Sequence, residues 1–220
     1  MDRSPVVEVT TTTGPLTGTS VIDATASLAG AYGARLLADL GATVNRLRDT
    51  RGLSFRMGGR EVADWAPGLH HVINAGKESL ALDVETPDGV VELRSLLAST
   101  DLVIEDVGLF DGDTAPLRWE EAVNVNDSLV ALSVTPFGTT GPYALRPSSD
   151  LTQWALSGLA WTSPGVPDTV TDLPNEPPLA PTGVSVPSIV AGAVTAVAAL
   201  AQLRNGSTKA LRIEVSELEA

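Results

Sequence analysis

SVIDATASLAGAYGARLLADLGATVNRLR, residues 20–48, decides the fold of this chain. Ser20 to Asp23 is a short apolar strand pattern. Leu28 to Leu40 carries apolar residues at helical spacing, and Gly41 is a natural stop for that helix. Thr43 to Leu47 is a second strand pattern. A strand, a helix and a second strand with short turns between them predict a parallel pair, because parallel neighbours need a crossover.

The same alternation continues outward. Arg51 to Gly68 is irregular and glycine-rich. Ser79 to Val84 reads as a strand. Thr86, Pro87 and Asp88 then supply a cap, a first-turn proline and a first-turn acid for a helix running to about Ser99. Asp101 to Glu105 is a fourth strand, Trp119 to Val123 a short helix, and Ser128 to Val134 a fifth strand. The strands are continuous apolar runs, as in sheets covered on both faces. The predicted class is therefore α/β: a Rossmann-like parallel sheet with helices on both faces. Ligands in such folds bind beyond the carboxyl ends of the strands, which draws the segments after Asp23, Leu47, Glu105 and Val134 together.

Three segments are expected. Residues 1–162 form the α/β core. Residues 163–187, with seven prolines and little periodicity, form an extended linker. Residues 188–220 hold a long apolar helix, ended by Asn205-Gly206, and a last strand over Lys209 to Val215. The apolar run from Ile189 to Leu203 falls short of the about 20 residues a membrane span needs, so a buried helix is expected, and no membrane partner. The N-terminus lacks the apolar core of a signal peptide, and a cytoplasmic location is expected.

Composition narrows the chemistry. The 220 residues include no cysteine, which excludes disulfides, thiolate catalysis and cysteine–zinc sites. His70 and His71 are the only histidines, so metal sites and Ser-His-Asp triads have little to draw on. A formal charge of −13 argues against a nucleic-acid partner. An anionic ligand would need a local basic patch or helix N-termini.

The stretch FGTTGPYALRPSSDLTQWALSG, residues 137–158, carries the chemistry. A glycine- and proline-rich loop runs into Asp150, which opens an apolar segment of helical spacing. Asp150 is either a simple helix cap or a carboxylate free to act; Ser148 and Ser149 are equally good caps. Trp154 and Trp161, seven apart on one helix face, read as packing. Gly30 and Gly33 suit either close approach of a ligand or close packing. Arg46, Arg48 and Arg51 form a basic cluster beyond a strand end, read as a solvated face or as a phosphate site. Asn74 and Lys77 precede a strand and could meet a phosphate or an adenine; a solvated loop explains Lys77 equally well.

These motifs, in this order, resemble the class III CoA-transferases, the formyl-CoA and carnitine-CoA transferase (CaiB/BaiF) family. VIDATASLAGAYGARLLADLGATV resembles the family's opening strand, turn and helix. NAGKESLALDVETPDG resembles its Asn-x-Gly-Lys-x-Ser segment, and DLVIED, FGTTGPYALRP, SSDLTQWALSG and LRIEVSELEA follow in family order. The resemblance implies that Asp150 is the nucleophile. Its carboxylate would attack an acyl-CoA thioester, give a mixed anhydride and then an aspartyl-CoA thioester, and pass CoA to a second carboxylic acid. It also implies CoA as substrate with no permanently bound cofactor, and a CoA site drawn from Ser27, Leu28, Ala29, Gly30, Arg48, Asn74, Lys77 and Asp106. Asp106 stands where the family commonly has Asn, an Arg that follows is absent, and Glu78 replaces a basic residue. Family members are about twice this length, and their second half supplies a glycine-rich loop of oxyanion donors. The resemblance therefore implies work with a complementary half in a homo- or hetero-oligomer. A degenerate paralogue that binds CoA or acts as a scaffold is the alternative. An acyl-CoA racemase is a second alternative, but that chemistry needs a histidine shortly before the aspartate, and residues 120–149 contain none.

Overall fold

The computed structural model describes residues 13–48, 56–57, 60–61, 66–106, 108–110, 115–144, 146–162, 185–206 and 208–220. Arg51 and the proline-rich residues 163–184 lie outside them. In chain order the elements are β1 (Ser20–Ala24), α1 (Leu28–Asp39), β2 (Thr43–Arg48), β3 (Arg56–Met57), β4 (Arg60–Glu61), α2 (Pro67–Asn74), β5 (Glu78–Ala81), α3 (Pro87–Leu97), β6 (Leu102–Glu105), α4 (Trp119–Val125), β7 (Val130–Thr135), α5 (Asp150–Leu156), α6 (Leu159–Thr162), α7 (Val186–Asn205) and β8 (Leu211–Ser216).

Six strands form one sheet in the order β5-β2-β1-β6-β7-β8, and each neighbouring pair is parallel. Counted along the chain this is the doubly wound order 3-2-1-4-5-6, whose strand order reverses between β1 and β6. β3 and β4 make a separate antiparallel pair. Alternation along the strands sends Val21, Leu102, Ile104, Val130 and Leu132 into a core shared with α1 and α7. Ile22, Val103 and Ala131 go to the opposite core, with Leu93 and Leu97 of α3 and Ala122 of α4. Both faces are covered, as the continuous apolar strands predict. Strand β8 pairs with β7, so the 188–220 segment completes the same sheet.

Three local expectations are corrected. Residues 67–74, partly read as irregular, form α2, started by Pro67 in its first turn. Ser185, Val186 and Pro187, read as linker, are the cap and first turn of α7. Trp154 and Trp161 do not share a helix face, because the chain breaks at Gly158, whose φ is 82°, before α6 begins.

Helix α7 is long and apolar enough to cross a bilayer. Here only part of that surface is used for packing: Ala191, Ala196 and Ala199 are buried in the core shared with α1 and the sheet, whereas Val190, Val194 and Val197 are exposed. The crossing with α1 is close because glycine sits on both sides. A Cβ on Gly33 would meet the Thr195 side chain at 2.9 Å, and one on Gly192 would meet the Ala29 carbonyl oxygen at 2.7 Å. This resolves Gly33 toward packing. Gly30 packs within its own turn, where a Cβ would meet Thr25 Cγ2 at 2.5 Å.

Candidate active site at the carboxyl edge of the sheet

The loop after β7 is built by its own residues. Gly138 and Gly141 have φ of 85° and 92°, a region that L side chains avoid. Glu214 of β8 accepts from the Thr139 backbone N–H and from its hydroxyl, tying the loop to the sheet edge. The Phe137 and Tyr143 rings lie 5.9 Å apart, and the Arg146 guanidinium sits 4.5 Å above the Tyr143 ring. Gln153 closes the loop by donating to the Pro136 carbonyl and to Ser148 Oγ. A cleft of about 580 Å³ opens beside it, with Asp106, Gly108, Thr135, Gly138 and Thr139 among its walls. Asp150 is not part of that lining.

Asp150 is the first residue of α5, and Ser149 is the cap, accepting from the Thr152 N–H. The capping reading therefore belongs to Ser149, and the Asp150 carboxylate is left for another partner. That partner is Ser185, whose hydroxyl donates to Asp150 Oδ1 at 2.7 Å. Ser185 is the cap residue of α7 but makes no side-chain cap bond; its oxygen is turned to Ser188 at 2.9 Å. Ser188 in turn lies 3.4 Å from Glu217 Oε1. Burial raises the Glu217 carboxyl to about 7, and the neighbouring charges of Asp150 and Asp106 push the same way. Ser185, Ser188 and Glu217 were not singled out in the sequence. The available signal was position: Glu217 directly follows β8, at the carboxyl edge where such folds place ligands.

The turn at the β1–β6 switch point holds Ser27, Leu28, Ala29 and Gly30. Ser27 caps α1 by accepting from the Gly30 N–H. Asp106 reaches across from the end of β6 and accepts from the Ala26 and Ser27 N–H groups at 2.7 and 2.6 Å. Burial raises the Asp106 carboxyl to about 6, against the pull of those bonds. Its side chain thus fills donors that an anionic ligand at a switch point would use. In this structure Asp106 ties two crossover turns together.

Lys77, expected at a cofactor site or on a solvated loop, is buried. Its Nζ contacts Asp23 Oδ2 and the Ala31 carbonyl oxygen, each at 2.7 Å, and its side chain is 1% exposed. Arg46 joins the same aspartate at 2.8 Å and also donates to the Thr25 carbonyl. Burial alone would push the Asp23 carboxyl up, but Arg46 and Lys77 hold it below the usual carboxylate range. Lys77 and Arg46 are buried cations spent on Asp23 and on the backbone around it. Arg48 remains exposed at the end of β2. Asn74 ends α2, donating to the His70 carbonyl, while its Oδ1 is buried without a partner. The structure thus gathers Asp106, Ser27, Asp150 and Glu217 at one edge. No contact links Arg48 or Asn74 to that group among the described residues.

The sequence model of CoA-transferase family III matches residues 16–220. A succinyl-CoA:(R)-benzylsuccinate CoA-transferase subunit of Thauera aromatica is 40% identical over 151 residues, 64% of this chain and 35% of that protein. A succinyl-CoA–D-citramalate CoA-transferase of Chloroflexus aurantiacus is 28% identical over 208 residues, 92% of this chain and 50% of that protein. Among solved structures, a CAIB/BAIF family protein from Brucella suis superimposes with a TM-score of 0.79 at 27% identity, covering 94% of this chain and 54% of that one. The chain spans half or less of the length of these curated relatives.

Proposed function

The chain belongs to CoA-transferase family III, and on that footing we propose that it moves CoA between an acyl-CoA and a carboxylic acid, with Asp150 as nucleophile. The observation that carries this reading is the setting of Asp150. Its carboxylate opens a helix behind a glycine-rich loop, is released from capping by Ser149, and is held by one hydroxyl donor, Ser185. An aspartate needs no base to be nucleophilic at neutral pH.

In the proposed sequence Asp150 attacks the thioester carbonyl. The C–S bond breaks and CoA thiolate leaves, giving a mixed anhydride. The thiolate then attacks the aspartyl carbonyl and releases the first acid as carboxylate. The acceptor carboxylate attacks the resulting aspartyl thioester, and thiolate leaves again. Its return to the acceptor carbonyl yields the new acyl-CoA and restores Asp150. Each step exchanges one anion for another and needs no outside proton or oxidant. The oxyanion donors are proposed to come in part from a complementary half, supplied by further chain or by a partner subunit.

A second reading, a CoA-binding or scaffolding subunit without turnover, is favoured by Asp106, which places a carboxylate on the backbone donors of the switch point. One experiment separates the two. The protein, alone and with any co-purified partner, is incubated with succinyl-CoA and quenched with hydroxylamine, and its peptides are mapped by mass. An aspartyl hydroxamate at Asp150, absent in Asp150→Asn, is the expected result. CoA retention without an adduct would establish the second reading.

A further inference from the structure

We propose that Ser185 is a catalytic residue: its hydroxyl fixes Asp150 Oδ1 as the oxygen that stays on the aspartate, and donates to it whenever the aspartyl carbon is attacked. This rests on the reading of Asp150 as nucleophile and adds what its two oxygens do. Ser185 donates to Oδ1 at 2.7 Å, the length of a charge-assisted bond. Among the described residues nothing bonds Oδ2. Two oxygens that are equal in a free aspartate are made unequal by one neighbour.

The hydroxyl is not spent on the helix it starts. Ser185 is the cap residue of α7 but makes no side-chain cap bond. Pro187, in the first turn, lacks one of the N–H groups a cap takes. The single hydroxyl proton has a second acceptor in reach, Ser188 Oγ at 2.9 Å, but the carboxylate is nearer and charged. Ser185 is 5% exposed, so water has little access to displace the bond.

The atom balance then gives the two oxygens different fates. Oδ2 attacks the thioester carbonyl and becomes the bridging oxygen of the mixed anhydride, while Oδ1 becomes the carbonyl oxygen on the aspartyl side. When thiolate attacks the aspartyl carbon, an electron pair moves onto Oδ1, which lies at the distance of an oxyanion donor from Ser185. The pair returns, the bond from that carbon to Oδ2 breaks, and Oδ2 departs in the first acid. The acceptor carboxylate attacks the same carbon, Oδ1 again takes and returns the pair, and thiolate leaves. The last attack, on the acceptor carbonyl, leaves an acceptor oxygen behind as the new Oδ2. Oδ1 is never exchanged. Ser185 serves the two middle steps, and in the first and last the oxyanion forms on the substrate carbonyl instead.

The test uses the whole chain, alone and with any co-purified partner. It is turned over with succinyl-CoA and with succinate carrying oxygen-18 in both carboxylates, and the peptide holding Asp150 is weighed. After many turnovers Asp150 in the parent should hold one oxygen-18 and not two. Ser185→Ala, whose carboxylate is free to rotate, should gain the second. In the same variant CoA thiol release, read with a thiol reagent to which this chain offers no cysteine, should keep pace with the parent. Formation of the aspartyl-CoA thioester, read by mass, should slow on the order of 10²-fold. A tie that only held α5 to α7 would change neither the oxygen count nor one step alone. Two oxygen-18 atoms in the parent, or a Ser185→Ala that slows neither step or both alike, overturns the proposal; the parent count decides even where Ser185→Ala does not fold. Neither oxygen-18 nor a CoA adduct at Asp150 in the parent overturns the nucleophile reading itself.

Discussion

Asp23 shows how one residue can be mistaken from its neighbours. It ends an apolar strand, is fully buried, and is bound by Arg46 and Lys77 together with Thr25. Such a cluster gives little net stability over an apolar core, but removing one partner strands the others. Asp23→Ala leaves two buried cations without their carboxylate and should cost about 3–5 kcal/mol. Urea unfolding should report this as a lower midpoint at unchanged slope. Arg48→Ala, exposed at the end of the neighbouring strand β2, should stay within about 0.5 kcal/mol. Equal losses in the two variants would remove the distinction drawn between a structural and a solvent-facing cation. Lys77 and Arg48 were indistinguishable in sequence, since both are basic residues beside a strand. Only the fold reveals that Asp23 lies under one of them.

The α1–α7 crossing makes the corresponding point for elements. Glycine within a helix costs about 1 kcal/mol relative to alanine, so propensity alone favours Gly192→Ala. The crossing reverses the sign, because the new methyl would lie 2.7 Å from the Ala29 carbonyl oxygen and 2.9 Å from Tyr32 Cδ1. A backbone oxygen cannot swing aside, and overpacking costs about 1–3 kcal/mol. The variant should therefore be less stable by about 1 kcal/mol or more, measured by thermal and urea unfolding; a more stable Gly192→Ala would refute the close crossing. Most elements of this sheet were legible in sequence because each reports locally: apolar runs for β1, β6 and β7, a Thr-Pro-Asp start for α3, Asn-Gly after α7. Helix α2 was missed because Leu69, Val72 and Ile73 offer few apolar positions, and of these only Ile73 is buried. The place of Asp150 at a helix start was legible from the loop that precedes it. Its partners were not, since Ser185, Ser188 and Glu217 meet it only across the fold.

For the whole molecule, the carboxyl edge of the sheet sets an unusual dependence of stability on pH. A carboxyl whose folded value lies above its unfolded one binds its proton more tightly in the native state. Its contribution is full below the unfolded value, about 4, and is lost as pH rises through the folded value. Asp106, at about 6, and Glu217, at about 7, behave this way. Asp23 behaves oppositely: its carboxyl is held down, so its contribution is present above about 4 and lost as pH falls further. The net charge of −13 adds self-repulsion that also grows toward alkaline pH. Stability should thus peak near pH 5, by about a pH unit, and decline toward pH 8, whereas proteins commonly hold a broad maximum across that range. Urea midpoints across the interval measure the decline. Added salt screens the surface repulsion but acts weakly on buried groups, so a decline that persists in salt is assigned to Asp106 and Glu217. Glu217→Gln should flatten it, because the amide has no proton to lose. A midpoint that rises from pH 5 to 8 would mean that neither carboxyl retains its proton in the folded chain.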